Sequence, residues 1–190
     1  MKTKIVKDLM VPLSNYATVS EDATLHDAII ALEEAQKKFD QTKYRHRAIL
    51  IYDKKGHISG KVSQLDILRA LEPKYDEMGN TKGVSHYGFS KKFLISLREQ
   101  FSLFSRPLEE ICKEAALAKV KNIMYTPTEG EYVRELDSLD VAIHRLVMGH
   151  HQSLLVTKNG NTNNITGILR KTDVFMEICG VIKSLNLQSG

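Results

Sequence analysis

Apolar positions along this chain follow two spacings, one typical of helices and one of short buried strands. Leu25, Ala28, Ile29, Leu32 and Ala35 lie three and four apart, which predicts a helix with one apolar face, capped by Thr24 or Asp22. Ala48-Ile-Leu-Ile-Tyr52 is a short apolar run between charged neighbours. Its length and β-branched content favour a buried strand. Asp53-Lys54-Lys55-Gly56 then reads as a turn, and Ile58 to Val62 as a hairpin partner. Ser63 starts a helix through Leu65, Leu68 and Leu71 that stops near Pro73. A short extended segment at Ala17-Thr18-Val19 precedes them all.

The same series returns later in the chain. Val6-Lys7-Asp8-Leu9-Met10 recurs as Val120-Lys121-Asn122-Ile123-Met124, and Leu25-x-x-Ala28-Ile29 recurs as Leu139-x-x-Ala142-Ile143, both at an offset of 114 residues. His46-Arg47-Ala48-Ile49-Leu50-Ile51 matches His151-Gln152-Ser153-Leu154-Leu155-Val156 at 105, and Gly60 with Asp66 matches Gly167 with Asp173 at 107. Order is kept, so the chain is an internal duplication. The second copy predicts a helix from Ser138 through Ile143, Leu146 and Val147, strands at 153–157 and 165–169 around an Asn159-Gly160 turn, and a helix from Thr172. The expected fold class is α+β: two β-α-β-β-α repeats at 1–72 and 119–190, with an insertion at 73–118. A repeat of this size is marginal alone, so the two should pack together.

The insertion holds four of the six phenylalanines, Phe89, Phe93, Phe101 and Phe104, and so is no solvated linker. Residues 76–87, with Gly79 and Gly83, read as loop, as does Gly88. Ser90 caps a helix carrying Phe93, Leu97, Phe101 and Phe104 on one face. Ser105, with Pro107 and Glu109, opens another helix carrying Leu108, Ile111, Cys112 and Ala115. Such an aromatic stripe points to core or to a protein interface rather than to a ligand pocket.

Composition narrows the function classes. With 190 residues, 42% hydrophobic and 26% charged, the chain is an ordinary globular one. Its net charge of +4 is too small to argue by itself for nucleic acid or an anionic membrane. No apolar run approaches the roughly 20 residues of a membrane span, and no apolar stretch follows the basic start, so a cytoplasmic protein is expected. Two cysteines, Cys112 and Cys179, make neither a disulfide framework nor a cysteine-based zinc site.

Enzymatic motifs are missing. Gly56-His-Ile-Ser-Gly60-Lys61-Val62-Ser63 is one residue short of a phosphate loop, has Val62 where a hydroxyl belongs, and lies in a hairpin. His144, His150 and His151 have no carboxylate or cysteine at ligand spacing, which argues against a metal. Ser63 and Asp66, by contrast, put a hydroxyl at a strand end and a carboxylate in the next helical turn. A carboxylate there can accept both hydroxyls of a ribose, although the same pair also suits a helix cap. Lys43, Arg45, His46 and Arg47 add positive potential suited to phosphate within a basic stretch at 37–47.

These residues together resemble a tandem CBS-domain (cystathionine beta-synthase domain) protein, whose two repeats pack as a pseudo-twofold Bateman module. The paired Val-Lys-x-[Leu/Ile]-Met openings, the His-[Arg/Gln] strand starts and the two Gly-to-Asp signatures carry the resemblance, over about residues 4–72 and 119–180. It implies a non-catalytic regulatory module that binds AMP, ADP, ATP or S-adenosylmethionine between the repeats. Ser63 and Asp66 would hold a ribose, with Arg170 and Asp173 as their counterparts. His46 and Arg47 would meet phosphates, with His151 keeping the histidine and Gln152 losing the arginine. Tyr16-Ala17-Thr18 and Glu131-Tyr132-Val133 would edge the adenine. Arg170 replaces the hydroxyl of the second signature, so the better site is expected at Ser63 and Asp66, while Arg170 either pairs with Asp173 or meets a phosphate. Lys61 interrupts an apolar strand, and a pleat is expected to turn it outward. A homodimer and a regulated partner chain are further expectations. The alternative is a ligand-free CBS-fold dimerisation or interaction protein, with a nucleic-acid binder behind it.

Overall fold

A computed structural model describes residues 4–39, 45–77 and 89–185. Among the described residues, seven short strands form two sheets. Strands β2 (Thr18–Ser20), β3 (Ala48–Tyr52) and β4 (Ile58–Ser63) make the first, in the order β2-β3-β4. The second has the order β1-β7-β6-β5, with β1 at Val11–Pro12, β5 at Tyr132–Arg134, β6 at Ser153–Thr157 and β7 at Ile165–Arg170. Helices α1 (Leu25–Lys38) and α2 (Gln64–Ala70) belong to the first repeat, and α7 (Leu139–Met148) and α8 (Lys171–Ser184) to the second. Between them stand α3 (Lys74–Glu77), α4 (Lys91–Gln100), α5 (Leu108–Leu117) and α6 (Val120–Ile123).

The two repeats keep one register. Ala48 faces Ser63 and Ile51 faces Gly60 in the first hairpin, as Ser153 faces Arg170 and Val156 faces Gly167 in the second. The hairpins turn through Gly56 and Gly160, both at φ 80°, a region that favours glycine. Each central strand is buried on both faces, which explains its unbroken apolar run. Ile49 and Ile51 pack into the first repeat's own core, and Leu154 and Val156 into the second's. Leu50 and Leu155 turn the other way and meet in a third cluster between the sheets, with Val11, Tyr16, Phe39 and Ile168.

The repeats also exchange their opening segments. Val6, from the start of the chain, is buried in the second repeat's core, and Val120 in the first's. The backbone bonds that dock them are equivalent: Val6 N–H donates to Asp137 O at 3.0 Å, and Val120 N–H to Ala23 O at 2.9 Å. Leu139 N–H donates to Lys4 O, and Leu25 N–H to Ala118 O. Past these contacts the segments run over the signature glycines. A Cβ on Gly60 would strike the Met124 sulfur, and one on Gly167 would strike the Val11 carbonyl.

Three elements differ from the sequence expectation. Helix α4 ends at Gln100, and Ser102 and Phe104 turn with positive φ, so the aromatic stripe is broken there. Phe93 and Phe104 are more than a third exposed, and Leu103 is buried instead. The turn is held by the buried carboxylate of Glu72, which accepts from Phe104 N–H at 2.6 Å, and by Lys74, which donates to the Phe101 and Ser102 carbonyls. Helix α5 begins at Leu108 behind Pro107 with no side-chain cap, so Ser105 does not serve there. In α2 the core-facing residue is Ile67, while Leu65 and Leu68 are exposed. The basic residue Lys43 and the glycines 79, 83 and 88 lie outside the described residues.

A glycine replacement separates the two crossings. Gly167→Ala must displace backbone, whereas Gly60→Ala meets chiefly a flexible thioether. Urea denaturation should show a loss of about 1–3 kcal/mol for Gly167→Ala and a smaller one for Gly60→Ala, with Met124→Ala partly rescuing only the latter.

Candidate functional site

A cleft of about 550 Å³ opens between the repeats. The first repeat contributes Arg45, Arg47, Lys61, Ser63, Asp66 and Arg69, and the second Tyr125, Glu131 and residues 150–153, while Tyr16 and Arg170 form part of the same wall. Ser63 ends β4 and caps α2, which fixes both site residues through the local fold. Its hydroxyl donates to Asp66 Oδ2 at 2.6 Å, and its N–H donates to the same oxygen at 2.8 Å. The capping arrangement is therefore real, and it uses one carboxylate oxygen. Among the described residues nothing is bonded to Oδ1.

One wall of the cleft is strongly cationic. Among the described residues, the side chains of Arg45, Arg47 and Arg69 have no ion pair or hydrogen bond, in contrast with the paired Lys61 and Arg170. Arg69 follows Asp66 by three residues on α2 and so shares its face. That spacing is the signal by which the sequence could have nominated it.

The opposite end holds a buried charged group. Glu131, 1% exposed, accepts from the Tyr125 hydroxyl at 2.6 Å and from Thr128 N–H at 3.1 Å, and its other oxygen pairs with Lys61 of the first repeat. Lys61 thus does not point to solvent. The pleat turns it away from its own core and onto the other repeat. Burial pushes the Glu131 carboxyl up, but the bonds from Lys61 and Tyr125 outweigh it and hold the group below its usual range. A Thr128-x-x-Glu131 capping box is the sequence signal for this residue. His151 Nδ1 lies 4.0 Å from Glu131, and burial lowers its pKa.

Of the other expected site residues, His151 lines the cleft, while Ala17 and Val133 have their side chains in the cores of their own repeats. Thr18 and Ala17 border a separate cavity of about 460 Å³ against α1. His46 is buried between the rings of Tyr16 and Phe39, with centroids at 4.4 and 4.2 Å. Arg170 makes a bidentate pair with Asp173, Nε to Oδ2 at 2.5 Å and Nη2 to Oδ1 at 2.6 Å, and its Nη1 lies 3.4 Å from His46 Nδ1. Burial first, then the Arg170 charge, lowers the His46 pKa, while burial raises Tyr16 to about 12.

The family profile of the CBS domain matches residues 6–73. No curated protein matches the sequence. Among solved structures the chain is similar to CBSX2, a CBS-pair protein of Arabidopsis thaliana, at 18% identity over 95% of this chain and 98% of that one, with a TM-score of 0.59. A structure of CBSX2 in complex with AMP aligns at 19% identity, 93% and 97% coverage and a TM-score of 0.57. The CBS domain of the bacterial CNNM/CorC family Mg2+ transporter, solved with ATP, aligns at 16% identity, 94% and 89% coverage and 0.58. Protein MJ1004 of Mathanocaldococcus jannaschii is longer. The chain spans 60% of it, at 19% identity over 93% of this chain and a TM-score of 0.56.

Two measurements check this geometry. Lys61→Met strands a buried carboxylate and should cost about 3–5 kcal/mol in urea denaturation, with much of the loss regained in the double variant Lys61→Met/Glu131→Gln. The histidines set the pH response. Unfolded histidine takes a proton near pH ~6.5, whereas the folded His46 and His151 resist it. Below that pH the unfolded chain binds more protons, so stability should fall as pH drops from about 7 to 5. His46→Gln should flatten that slope of Tm against pH, and an unchanged slope would clear His46 of the effect. At identities this low the structural likeness speaks for the fold, and with the profile match it identifies residues 6–73 as a CBS domain in a chain folded as a tandem CBS pair.

Proposed function

We propose that this protein is a non-catalytic regulatory module that binds an adenosine nucleotide in the cleft between its repeats. The observation that carries this reading is the pairing of Asp66, with Oδ1 uncommitted, with three uncommitted arginines around one 550 Å³ cleft. A ribose needs a carboxylate acceptor, and a phosphate needs guanidinium donors. The solved neighbours with AMP and with ATP support the same ligand class. Three arginines favour ATP or ADP over S-adenosylmethionine, whose sulfonium is itself cationic. His46 is enclosed by Tyr16, Phe39 and Arg170, so the phosphate role falls to Arg47 and Arg45.

Binding regulates only by favouring one packing of the repeats over another. The cleft is suited to this, because Lys61 and Glu131 cross it from opposite repeats. The output passes to a second copy or a partner chain, and the exposed apolar residues of α8, Phe175, Met176 and Ile182, offer a surface for a homodimer. Those same residues favour the second reading, a ligand-free CBS-fold interaction protein. No helix among the described residues is long and apolar enough to cross a membrane.

Calorimetry with AMP, ATP and S-adenosylmethionine separates the two. ATP should bind more tightly than S-adenosylmethionine. Asp66→Ala should weaken nucleotide binding by about 1.5–3 kcal/mol, tenfold or more in Kd, and Arg47→Ala should weaken ATP more than AMP. Absence of binding by every adenosine compound would leave the interaction reading.

A further inference from the structure

The duplication supplies a control inside the molecule, because the residues around Asp66 have counterparts around Asp173, on the side of the cleft whose wall is Tyr16 and Arg170. Register pairs Ser63 with Arg170, Asp66 with Asp173, and His151 with His46, while the repeat offset pairs Gly130 with Tyr16. At each of these positions but the histidine and the aspartate, the second set is bulkier. Around Asp173 stand Tyr16, Phe39, His46 and Arg170, each under a tenth exposed. Phe39 is there because α1 has 14 residues where α7 has 10, so one more turn carries the chain past the equivalent helix end.

The chemistry of that filling is specific. Asp66 keeps Oδ1 uncommitted, whereas both oxygens of Asp173 are taken by Arg170, through two parallel N–H donors. Two donors presented side by side to one carboxylate are what a ribose diol presents as well. The guanidinium carbon lies 5.3 Å from the Phe39 ring centre, within cation–π range. Tyr16 packs its ring on His46, whereas its counterpart Gly130 brings no side chain to His151.

We propose that Arg170, with Tyr16, is a built-in occupant of the second ligand site, so that the chain takes one nucleotide rather than two, and that this latent site opens when the two side chains are cut back. The proposal rests on the nucleotide reading of the first cleft. It assigns Arg170 as the residue that sets stoichiometry. Binding to a single chain is then hyperbolic, with no second site for the ligand to fill.

Native mass spectrometry and calorimetry with AMP and ATP test it on the whole chain. The wild type should saturate at one nucleotide per chain. Arg170→Ser, or Arg170→Ser with Tyr16→Gly, should raise this to two. The reciprocal Ser63→Arg should install the same plug on Asp66 and reduce binding at least tenfold, while circular dichroism and Tm show a folded protein. Two nucleotides on the wild type, one on both folded opened variants, or unchanged affinity in Ser63→Arg would each overturn the proposal. If the opened variants fail to fold, the wild-type count and Ser63→Arg still decide it. No binding to the wild type at all would instead remove the nucleotide reading on which the proposal rests.

Discussion

Neither repeat closes its own core. Val6 and Val120, both fully buried, are each supplied by the segment that opens the other repeat, through matching backbone bonds to Asp137 and Ala23. A unit of this size is marginal by itself, and one missing core residue makes the dependence mutual. The cleft follows from that constraint. Once the opening segments cross, Met124 and Tyr125 lie over Gly60 and the β4 edge, so the walls around Asp66 come from both halves of the chain. A site assembled in this way is sensitive to how the halves sit against each other.

Much of this was legible in the residues. The duplication, the two hairpins and the helix caps at Ser63 and at Thr24, one of two candidates, follow from spacing and residue type, because they are local. The i, i+3 spacing of Arg170 and Asp173 lets the two pair within one helical turn. What escaped was decided at long range. The exchange of Val6 and Val120 leaves no mark in either copy alone, since both copies carry the same valine. Lys61 was read against its own sheet, but its partner Glu131 lies in the other repeat. On α2, Leu65, Ile67 and Leu68 are equally apolar, and only the position of the helix on its sheet selects Ile67 for the core.

The surroundings of Asp66 and of Asp173 also show how one fold carries opposite electrostatic solutions. In one, a buried glutamate is stabilised by a lysine from across the boundary, and three arginines are left to the cleft. In the other, the arginine is spent on its own aspartate and shielded by aromatic rings. The insertion adds to the first side, for Glu72 and Lys74 tie its turn directly behind α2, the helix that carries Asp66 and Arg69. A shift of α2 is therefore felt by the insertion as well as by the cleft.

The crossed opening segments carry a historical meaning too. Two separate copies of one repeat, each lending its first strand to the other, would form a symmetric pair in which any change in sequence appears twice. Joining the copies in one chain ends that obligation. After fusion Ser63 and Arg170, or Gly130 and Tyr16, are free to differ, and a symmetric assembly becomes a molecule with distinct faces.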